Sequence, residues 1–289
     1  MLERYVIHVT KKCNMKCLYC YEDDKVSEYT WEEIKALLSN IIKYNKHFGI
    51  EFLGGEPLIA MSLIEKSVDF LESQPNIDVS DYVITTNGTL ITPNIIGYLM
   101  RNPKVKRGMS LDGNNYANQL RVMKDGHASG NLVANNIKML LREIDINRIS
   151  VHMVTHPYNV GLLNDSIDYL YNLGIRVIGI GTIEKTIIIN DEYCDRFIQE
   201  MNKLSDKIIS GVYKSLYIDL LEYLKPQSDQ RTYIRDTEGK LIAESYGRSE
   251  DDITSKRDYN SKIVTSDLGD TIDNLRETIF NNHQRKLTI

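Results

Sequence analysis

Three of the chain's four cysteines lie in one eight-residue segment, as Cys13, Cys17 and Cys20. Cysteine thiolates are ligands of soft metal centres, so this segment predicts a metal site. The fourth cysteine, Cys194, is far away, and no histidine follows the segment at zinc-finger spacing. A structural zinc site takes four protein ligands, whereas three thiolates leave one iron of a 4Fe–4S cubane open to a small molecule. The ligand count therefore favours an iron–sulfur cluster over zinc and over three unrelated thiols.

The C-x-x-x-C-x-x-C spacing resembles the motif of the radical S-adenosylmethionine (SAM) superfamily. The resemblance implies that Cys13, Cys17 and Cys20 bind a 4Fe–4S cluster, and that the amino and carboxylate groups of SAM chelate its open iron. It also implies that Tyr19, just before the third cysteine, abuts the adenine ring. The cluster would carry the difficult step, which is reductive cleavage of SAM to methionine and a 5′-deoxyadenosyl radical.

A second segment of interest, Gly54-Gly55-Glu56-Pro57, follows the second predicted strand. Glycines let a backbone come close to another group without a Cβ clash, and proline stiffens the exit of a turn. Alone, such a segment is typical of a plain strand-to-helix turn. Behind the cysteine motif it resembles the Gly-Gly-Glu-Pro segment of the same superfamily. The resemblance implies that Gly54, Gly55, Glu56 and Pro57 contact the amino group of SAM.

Two later strand ends extend the resemblance. Asn87 ends the third predicted strand, where an Asn-Gly turn and a border of the SAM pocket are equally favoured. A Ser-Leu-Asp-Gly segment beginning at Ser110 resembles the S-x-D-G signature of the peptide-modifying branch, which includes the sulfatase maturases. It implies that Ser110 and Asp112 border SAM and that Arg121 pairs with its carboxylate, which a guanidinium fork suits. The His-Asp pair usual before this arginine is absent, so a solvated surface arginine is the alternative.

Alternating elements must position these residues. Short apolar, β-branched runs predict six strands, each followed by a segment with helical apolar spacing. This alternation predicts an α/β fold with a parallel sheet, and the resemblance implies a partial (β/α)6 barrel over residues 1–185. The motifs follow strands, and α/β folds usually place their chemistry at the carboxyl ends of strands. One helix start is explicit, since Thr30 and Glu33 form a predicted capping box.

Residues 186–289 follow a different pattern, which resembles the small α+β SPASM or Twitch extension of radical SAM enzymes. In that extension cysteines bind auxiliary clusters, but no cysteine follows Cys194 here. We therefore expect the scaffold without auxiliary clusters, which argues against sulfatase-type oxidation. The predicted elements are helices over 191–209, 212–224 and 271–281, and a hairpin over 232–245.

Cys194 has two interpretations. A free cysteine is commonly a small buried hydrophobe on an amphipathic helix. The alternative is a catalytic hydrogen-atom donor that quenches a substrate radical, as a peptide epimerase requires. That hypothesis rests on Cys194 being the one thiol outside the cysteine motif.

The composition bounds the partners and the compartment. A net charge of -5 gives no electrostatic argument for nucleic acid. No run of 18 apolar residues occurs, so no membrane span is predicted. No signal peptide is visible at the start of the sequence. Cysteines kept as thiolate ligands fit a reducing compartment, so we expect a cytoplasmic protein.

These observations predict an enzyme that cleaves SAM reductively and abstracts a hydrogen atom from a peptide or protein. It would be a maturase or an epimerase of ribosomally made peptides. The alternatives are an activase that installs a glycyl radical on another protein, and a non-enzymatic iron–sulfur or zinc-binding module. The expected partners are a peptide or protein substrate and an electron donor such as flavodoxin or ferredoxin. No motif identifies the substrate, because fold resemblance does not settle function.

Overall fold

The computed structural model describes residues 3–22, 24–183, 190–218, 231–235 and 241–246, the last two ranges through their backbone. Strands and helices alternate along most of this part of the chain. The helices are α1 (Trp31–Tyr44), α2 (Met61–Glu72), α3 (Pro93–Arg101), α4 (Gly130–Glu143), α5 (Leu163–Leu173) and α6 (Asp191–Ile209). The strands are β1 (Glu3–Thr10), β2 (His47–Gly54), β3 (Asp78–Thr86), β4 (Val105–Ser110), β5 (Ile149–Thr155), β6 (Val177–Thr182), β7 (Tyr217–Ile218), β8 (Arg231–Arg235) and β9 (Leu241–Tyr246).

All nine strands join one open sheet in the order β7-β6-β5-β4-β3-β2-β1-β9-β8. Strands β1 to β7 follow one another in chain order, and each is parallel to the next. Helices cross between consecutive parallel strands, as such connections require. The predicted α/β class and the six strand–helix units of the barrel are therefore confirmed, and β7 adds a seventh parallel strand.

The two faces of the sheet differ in character. On β5 fully buried residues alternate strictly with half-buried ones, so one face packs under the helices and the other lines the inside of the partial barrel. The packed face carries the hydrophobic core, to which strands β1 to β7 and all six helices contribute. Polar residues on the inner face include Glu51, Thr85, Ser110 and His152. The inner face of the partial barrel therefore carries polar side chains on several of its strands.

Local signals explain the start of α1. Thr30 Oγ1 accepts a hydrogen bond from Glu33 N at 3.3 Å, and Thr30 N donates to the Glu33 carboxylate at 2.7 Å. The predicted capping box is therefore confirmed. Among the described helices, none combines the length and the apolar character that crossing a membrane requires.

The chain after α6 differs from its prediction in one place. The helix predicted over 212–224 is wrong in its described part, because residues 212–216 are not helical and Tyr217–Ile218 form β7. Ser215 has a φ of 57°, which a helix does not permit, and Tyr217 N donates to Arg176 O at 2.8 Å beside β6. Pairing with the sheet thus overrides local helical spacing.

The predicted hairpin is confirmed by the antiparallel pairing of β8 with β9. Strand β9 also pairs antiparallel with β1, which brings the hairpin into the main sheet. The hairpin turn at 236–240, the segment 219–230 and the helix predicted over 271–281 lie outside the described residues. The division of the chain into 1–185 and 186–289 stays a prediction.

Candidate active site

The cysteine loop, residues 13–20, leaves the carboxyl end of β1 and is fixed by backbone hydrogen bonds. Lys16 N donates to Val122 O and Leu18 N donates to Leu120 O, each at 2.9 Å. These carbonyls belong to the segment between β4 and α4, which the sequence analysis did not connect with the loop. The loop is therefore shaped by contacts distant in sequence.

Asn87, just after β3, ties that strand to the cysteine loop. Its Nδ2 donates to Asn14 Oδ1 at 2.9 Å and lies 3.8 Å from Cys13 Sγ. Its Oδ1 accepts from both the backbone and the hydroxyl of Thr89, at 2.9 and 2.7 Å. Gly88 has a φ of 76°, so a tight turn is also present. The Asn-Gly turn thus brings a polar side chain to the first cysteine.

Gly54 and Gly55 lie where the chain comes close to its own backbone, and a larger residue would not fit there. A Cβ on Gly54 would lie 2.1 Å from Thr10 O, and one on Gly55 would lie 2.3 Å from Lys11 O. In addition, Gly55 N donates to Thr10 O at 2.9 Å. These contacts press the exit of β2 against the stem of the cysteine loop. Contact of the two glycines with SAM stays a prediction.

Glu56 is fully buried and holds β2 against the end of β3. Its carboxylate accepts hydrogen bonds from Thr86 Oγ1 at 2.6 Å, from Asn87 N at 2.7 Å and from Leu58 N at 3.0 Å. Burial raises the pKa of Glu56, and these hydrogen bonds act in the opposite direction. Pro57 opens the short 3-10 turn that follows. The carboxylate therefore positions the neighbouring turn, and its contact with SAM stays a prediction.

Asp112 and Arg121 form a buried ion pair beside the cysteine loop. Arg121 donates from Nε and Nη2 to the two carboxylate oxygens, each at 2.9 Å. Tyr19 OH and Val154 N also donate to Asp112, at 2.7 and 2.8 Å. The alternative of a solvated surface arginine is wrong, because Arg121 is 8% exposed. The guanidinium of Arg121 thus binds a carboxylate of the protein itself. Contact of Arg121 or Asp112 with SAM stays a prediction.

The same ion pair reaches Tyr19 in the loop. The guanidinium carbon of Arg121 lies 5.2 Å from the centroid of the Tyr19 ring, a cation–π distance. Burial lowers the pKa of Arg121, but the charge and hydrogen bonds of Asp112, together with Tyr19 and Cys17, outweigh this effect, so the pKa is raised. The guanidinium therefore stays charged. Tyr19 is buried against this pair, and the adenine contact implied for it stays a prediction.

His156, just beyond β5, is a residue that the sequence analysis missed. It is fully buried, and its ring centroid lies 5.7 Å from that of Tyr19. Its Nδ1 accepts from Tyr158 N at 3.2 Å, so the neutral ring carries its proton on Nε2. Burial lowers the pKa of His156 to about 4. Within the described part of the chain Nε2 has no hydrogen-bond partner, and a buried donor of this kind marks where a ligand or ordered water fits.

Ser110 and Cys194 occupy less connected positions. Ser110 ends β4 and is half-buried on the inner face of the sheet. Cys194 is half-buried in the first turn of α6, next to Tyr193, whose hydroxyl lies 2.7 Å from Thr155 Oγ1 at the end of β5. Helix α6 thus begins near the carboxyl end of β5. The roles of Ser110 toward SAM and of Cys194 as hydrogen donor stay predictions.

The three thiols of the loop fit a metal cluster electrostatically. Burial raises the pKa of Cys13 and raises that of Cys17 to about 11; the neighbouring Cys20 adds to both increases, and Cys13 adds to that of Cys17. Thiolates there need a positively charged centre, which the irons of a cluster supply. Among the described residues, no group of three or more His, Cys, Asp and Glu side chains could hold a single metal ion.

Comparisons with known proteins cover up to about four fifths of the chain. The family model described as the radical SAM superfamily matches residues 7–170. An uncharacterized protein of Methanocaldococcus jannaschii is 28% identical over 81% of this chain and 79% of its own length. The radical SAM cyclopropyl synthase TigE of Paramaledivibacter caminithermalis is 34% identical over 60% of this chain, which spans 39% of TigE. A probable GTP 3′,8-cyclase of Methanococcus aeolicus is 23% identical over 77% of this chain and 76% of its own length.

Two solved structures share the fold. That of anSMEcpe, with bound AdoMet and the Cp18Cys peptide, superimposes with a TM-score of 0.67 at 18% identity and covers 76% of this chain. Streptococcus suis SuiB, bound to its precursor peptide SuiA, gives a TM-score of 0.59 at 15% identity over 74% of this chain. The chain spans 64% of the first structure and 47% of the second. With more than half of its residues matched by the family model, the chain belongs to the radical SAM superfamily, whose members bind a 4Fe–4S cluster and SAM.

Proposed function

We propose that this radical SAM enzyme abstracts a hydrogen atom from a peptide or protein substrate. The observation that carries the proposal is the likeness of three quarters of the chain to anSMEcpe, which was solved with a peptide bound. The Ser-Leu-Asp-Gly segment at Ser110 supports it, since it resembles the signature of the peptide-modifying branch. The 34% identity with TigE supports assignment to enzymes that modify carbon centres.

In this proposal the cysteine loop holds the cluster and the surrounding strand ends hold SAM. When bound and reduced by a donor such as flavodoxin or ferredoxin, the cluster supplies the electron that cleaves SAM to methionine and a 5′-deoxyadenosyl radical. Asn87 steadies the loop at Cys13, and the Gly54–Pro57 segment braces its stem. His156 offers a neutral N–H donor beside Tyr19. Burial of Tyr19, Glu56 and His156 limits water at the site, which protects a radical from side reactions.

An epimerase is the version of this function in which Cys194 takes part. The thiol would give its hydrogen atom to the substrate carbon radical, with loss of the S–H bond and formation of the C–H bond. The resulting thiyl radical would then take an electron from the same one-electron donor and a proton from water. Cys194→Ala would still form 5′-deoxyadenosine but no inverted product. Inverted product at the wild-type rate in this variant would exclude the role.

A nucleotide substrate is the second candidate. It is favoured by the likeness to a probable GTP 3′,8-cyclase, which extends over 77% of this chain. The activase alternative predicts stoichiometric use of SAM and a radical borne on a second protein. Each candidate therefore leaves a different product, and one experiment separates them.

The test begins with anaerobic reconstitution by iron and sulfide, reduction, and addition of SAM. We expect about four irons per chain and release of 5′-deoxyadenosine. The iron and the 5′-deoxyadenosine should both be lost in Cys13→Ala, Cys17→Ala and Cys20→Ala. Cys194→Ala should keep the iron, and it is the control for the loss of one thiol elsewhere in the chain. Zinc bound in place of iron would contradict the proposal at its base.

Deuterated substrates then identify the substrate class. Transfer of deuterium into 5′-deoxyadenosine from deuterated peptides would support the peptide proposal. Transfer from deuterated GTP, and none from peptides, would establish the nucleotide candidate instead. The peptide and nucleotide candidates are distinguished by which deuterated substrate gives up its deuterium. The final product therefore need not be identified for this test.

A further inference from the structure

We propose that three polar side chains inside the barrel, Glu51, Thr85 and His152, bind a positively charged group of the substrate. We name them the lumen row. The group would be the ammonium of a lysine or the guanidinium of an arginine side chain. This inference deepens the proposed function and rests on it, since it specifies which peptide residue the site selects.

The lumen row lies on the inner face of the sheet. Its members come from β2, β3 and β5, and all three are half-buried. Their strand neighbours point to the opposite face and pack in the core beneath the helices. These buried neighbours include Ile50, Phe52, Ile84, Val151 and Met153. The row therefore faces the space that the partial barrel encloses.

The three side chains of the lumen row lie near one another across the adjacent strands β2 to β5. Thr85 Oγ1 donates to Glu51 Oε1 at 2.6 Å. Between β3 and β5, strand β4 contributes Gly108, which has no side chain to separate the two neighbours. The position of a Cβ on Gly108 would lie 3.0 Å from Thr85 Oγ1 and 3.1 Å from His152 Nε2. The hydroxyl and the imidazole, whose Nε2 lies 3.4 Å from Ser150 Oγ, therefore both border the space above the glycine, on the side of the sheet that carries the carboxylate.

Among the described residues, no cation balances the charge of Glu51. In the part of the chain that the structure describes, Glu51 forms no ion pair, and its hydrogen bond comes from the uncharged Thr85. The two cations on the inner face nearer the amino ends of the strands, Arg4 and Lys106, both pair with Asp81, at 2.6 and 2.7 Å. A half-buried carboxylate without a counter-ion favours a cationic partner, which would also take hydrogen bonds on its oxygens.

The row lies one layer below the residues assigned to SAM. Thr85 precedes Asn87 by two residues, and Gly108 precedes Ser110 by two residues. A strand rises by about 3.3 Å per residue, so the two layers are separated by roughly 7 Å along the strands. A substrate carbon presented to SAM would therefore leave a long side chain within reach of the row. Lysine and arginine side chains have that length and the matching charge.

Small amino-acid amides test the row without knowledge of the full substrate. The probes are the N-acetyl methylamides of lysine, norleucine, arginine and glutamate, titrated into the reconstituted enzyme with SAM and followed by saturation-transfer NMR. Norleucine is the matched control for lysine, because it keeps the chain and lacks the amine. We expect the lysine and arginine probes to bind about tenfold more tightly than norleucine.

Variants of Glu51 assign any preference to the row. Glu51→Gln keeps an oxygen for Thr85 but removes the charge, so the preference for lysine and arginine should fall to about equal binding. Glu51→Lys should reverse the preference toward the glutamate probe. Glu32→Gln, the same change at an exposed position of α1, should bind the probes as the wild type does. Iron content and circular dichroism show that each variant is folded and loaded.

Either failure has its own signature. Equal binding of all four probes by the wild type, or binding of none at millimolar concentration, overturns the lumen row. So does a lysine preference that survives in Glu51→Gln. If the preference follows Glu51 as expected but no deuterated peptide transfers deuterium to 5′-deoxyadenosine, the cation site stands and the peptide function falls.

Discussion

Asp112 is the residue on which the site converges. It accepts hydrogen bonds from Tyr19 in the cysteine loop, from Arg121 in the segment after β4 and from the backbone of Val154 on β5. A buried carboxylate is stable when it is paired and fully hydrogen-bonded, so all three contacts matter together. The family resemblance predicted that Arg121 would pair with the carboxylate of SAM, which stays a prediction. It did not predict the ion pair with Asp112, because that partnership depends on the fold of the intervening loop.

Replacement of Arg121 by Met tests whether the pair is structural. The variant keeps an apolar chain of similar length but leaves the charge of Asp112 buried and unpaired. We expect the free energy of unfolding to fall by about 3–5 kcal/mol, measured by urea denaturation. Arg101→Met, at the exposed end of α3, is the control and should change stability little. Wild-type stability combined with weakened SAM binding would instead support the ligand role of Arg121.

At the scale of elements, the carboxyl ends of β1 to β4 act as one unit. The exit of β2 braces the stem of the cysteine loop, the turn after β3 reaches Cys13, and the segment after β4 pairs with the loop backbone. Each of these contacts is short in space and long in sequence. The conformation of the cysteine loop therefore depends on the segments after β2, β3 and β4, which contain none of the three cysteines.

Gly55→Ala tests the brace between β2 and the loop. A methyl group there would meet Lys11 O at 2.3 Å, and backbone must move to admit it. We expect several-fold less iron to be retained after reconstitution, together with a lower melting temperature. Gly97→Ala is the matched control, because its Cβ would lie 3.4 Å from a flexible Arg101 side chain within α3. Alanine in a helix interior is favoured by roughly 0.5–1 kcal/mol over glycine, so this variant should be slightly more stable. Normal iron retention in Gly55→Ala would show that the brace is dispensable.

The elements themselves were largely predictable from sequence. Periodicity predicted the six strand–helix units and the bounds of α6, because each helix or strand buries its own local pattern. It failed at β7, where two residues pair with β6 and local helical spacing is overridden. It also missed His156 and the pairing of the loop with Leu120 and Val122. No periodic pattern marks such contacts, since they arise when distant strand ends meet.

At the scale of the whole molecule, the first strand lies in the interior of the sheet. Strand β1 pairs with β2 on one side and with β9 on the other, so the hairpin from the end of the described chain covers what would be an open edge. Exposed edges invite pairing with other chains, and a covering hairpin prevents it. Because the cysteine loop follows β1 directly, the hairpin also stabilises the strand that leads into this loop.

Hydrogen exchange tests this arrangement. We expect all backbone amides of Arg4–Ile7 to exchange slowly, because those that do not bond to β2 bond to β9. Strand β7, which among the described strands pairs only with β6, is the internal control, and its Ile218 amide should exchange fast. Exchange of alternate β1 amides as fast as those of β7 would show that the hairpin does not cover this strand in solution.

The backbone bonds that shape the cysteine loop also bear on how the enzyme matures. Lys16 and Leu18 are fixed by carbonyls of the chain itself, and Lys11 pairs with Glu22 across the base of the loop. A zinc finger needs its metal in order to fold, whereas here protein contacts arrange the thiols. We therefore expect the chain to fold before the cluster is assembled. On that expectation a cluster destroyed by oxygen is replaced in the folded protein, and repair does not require a new polypeptide.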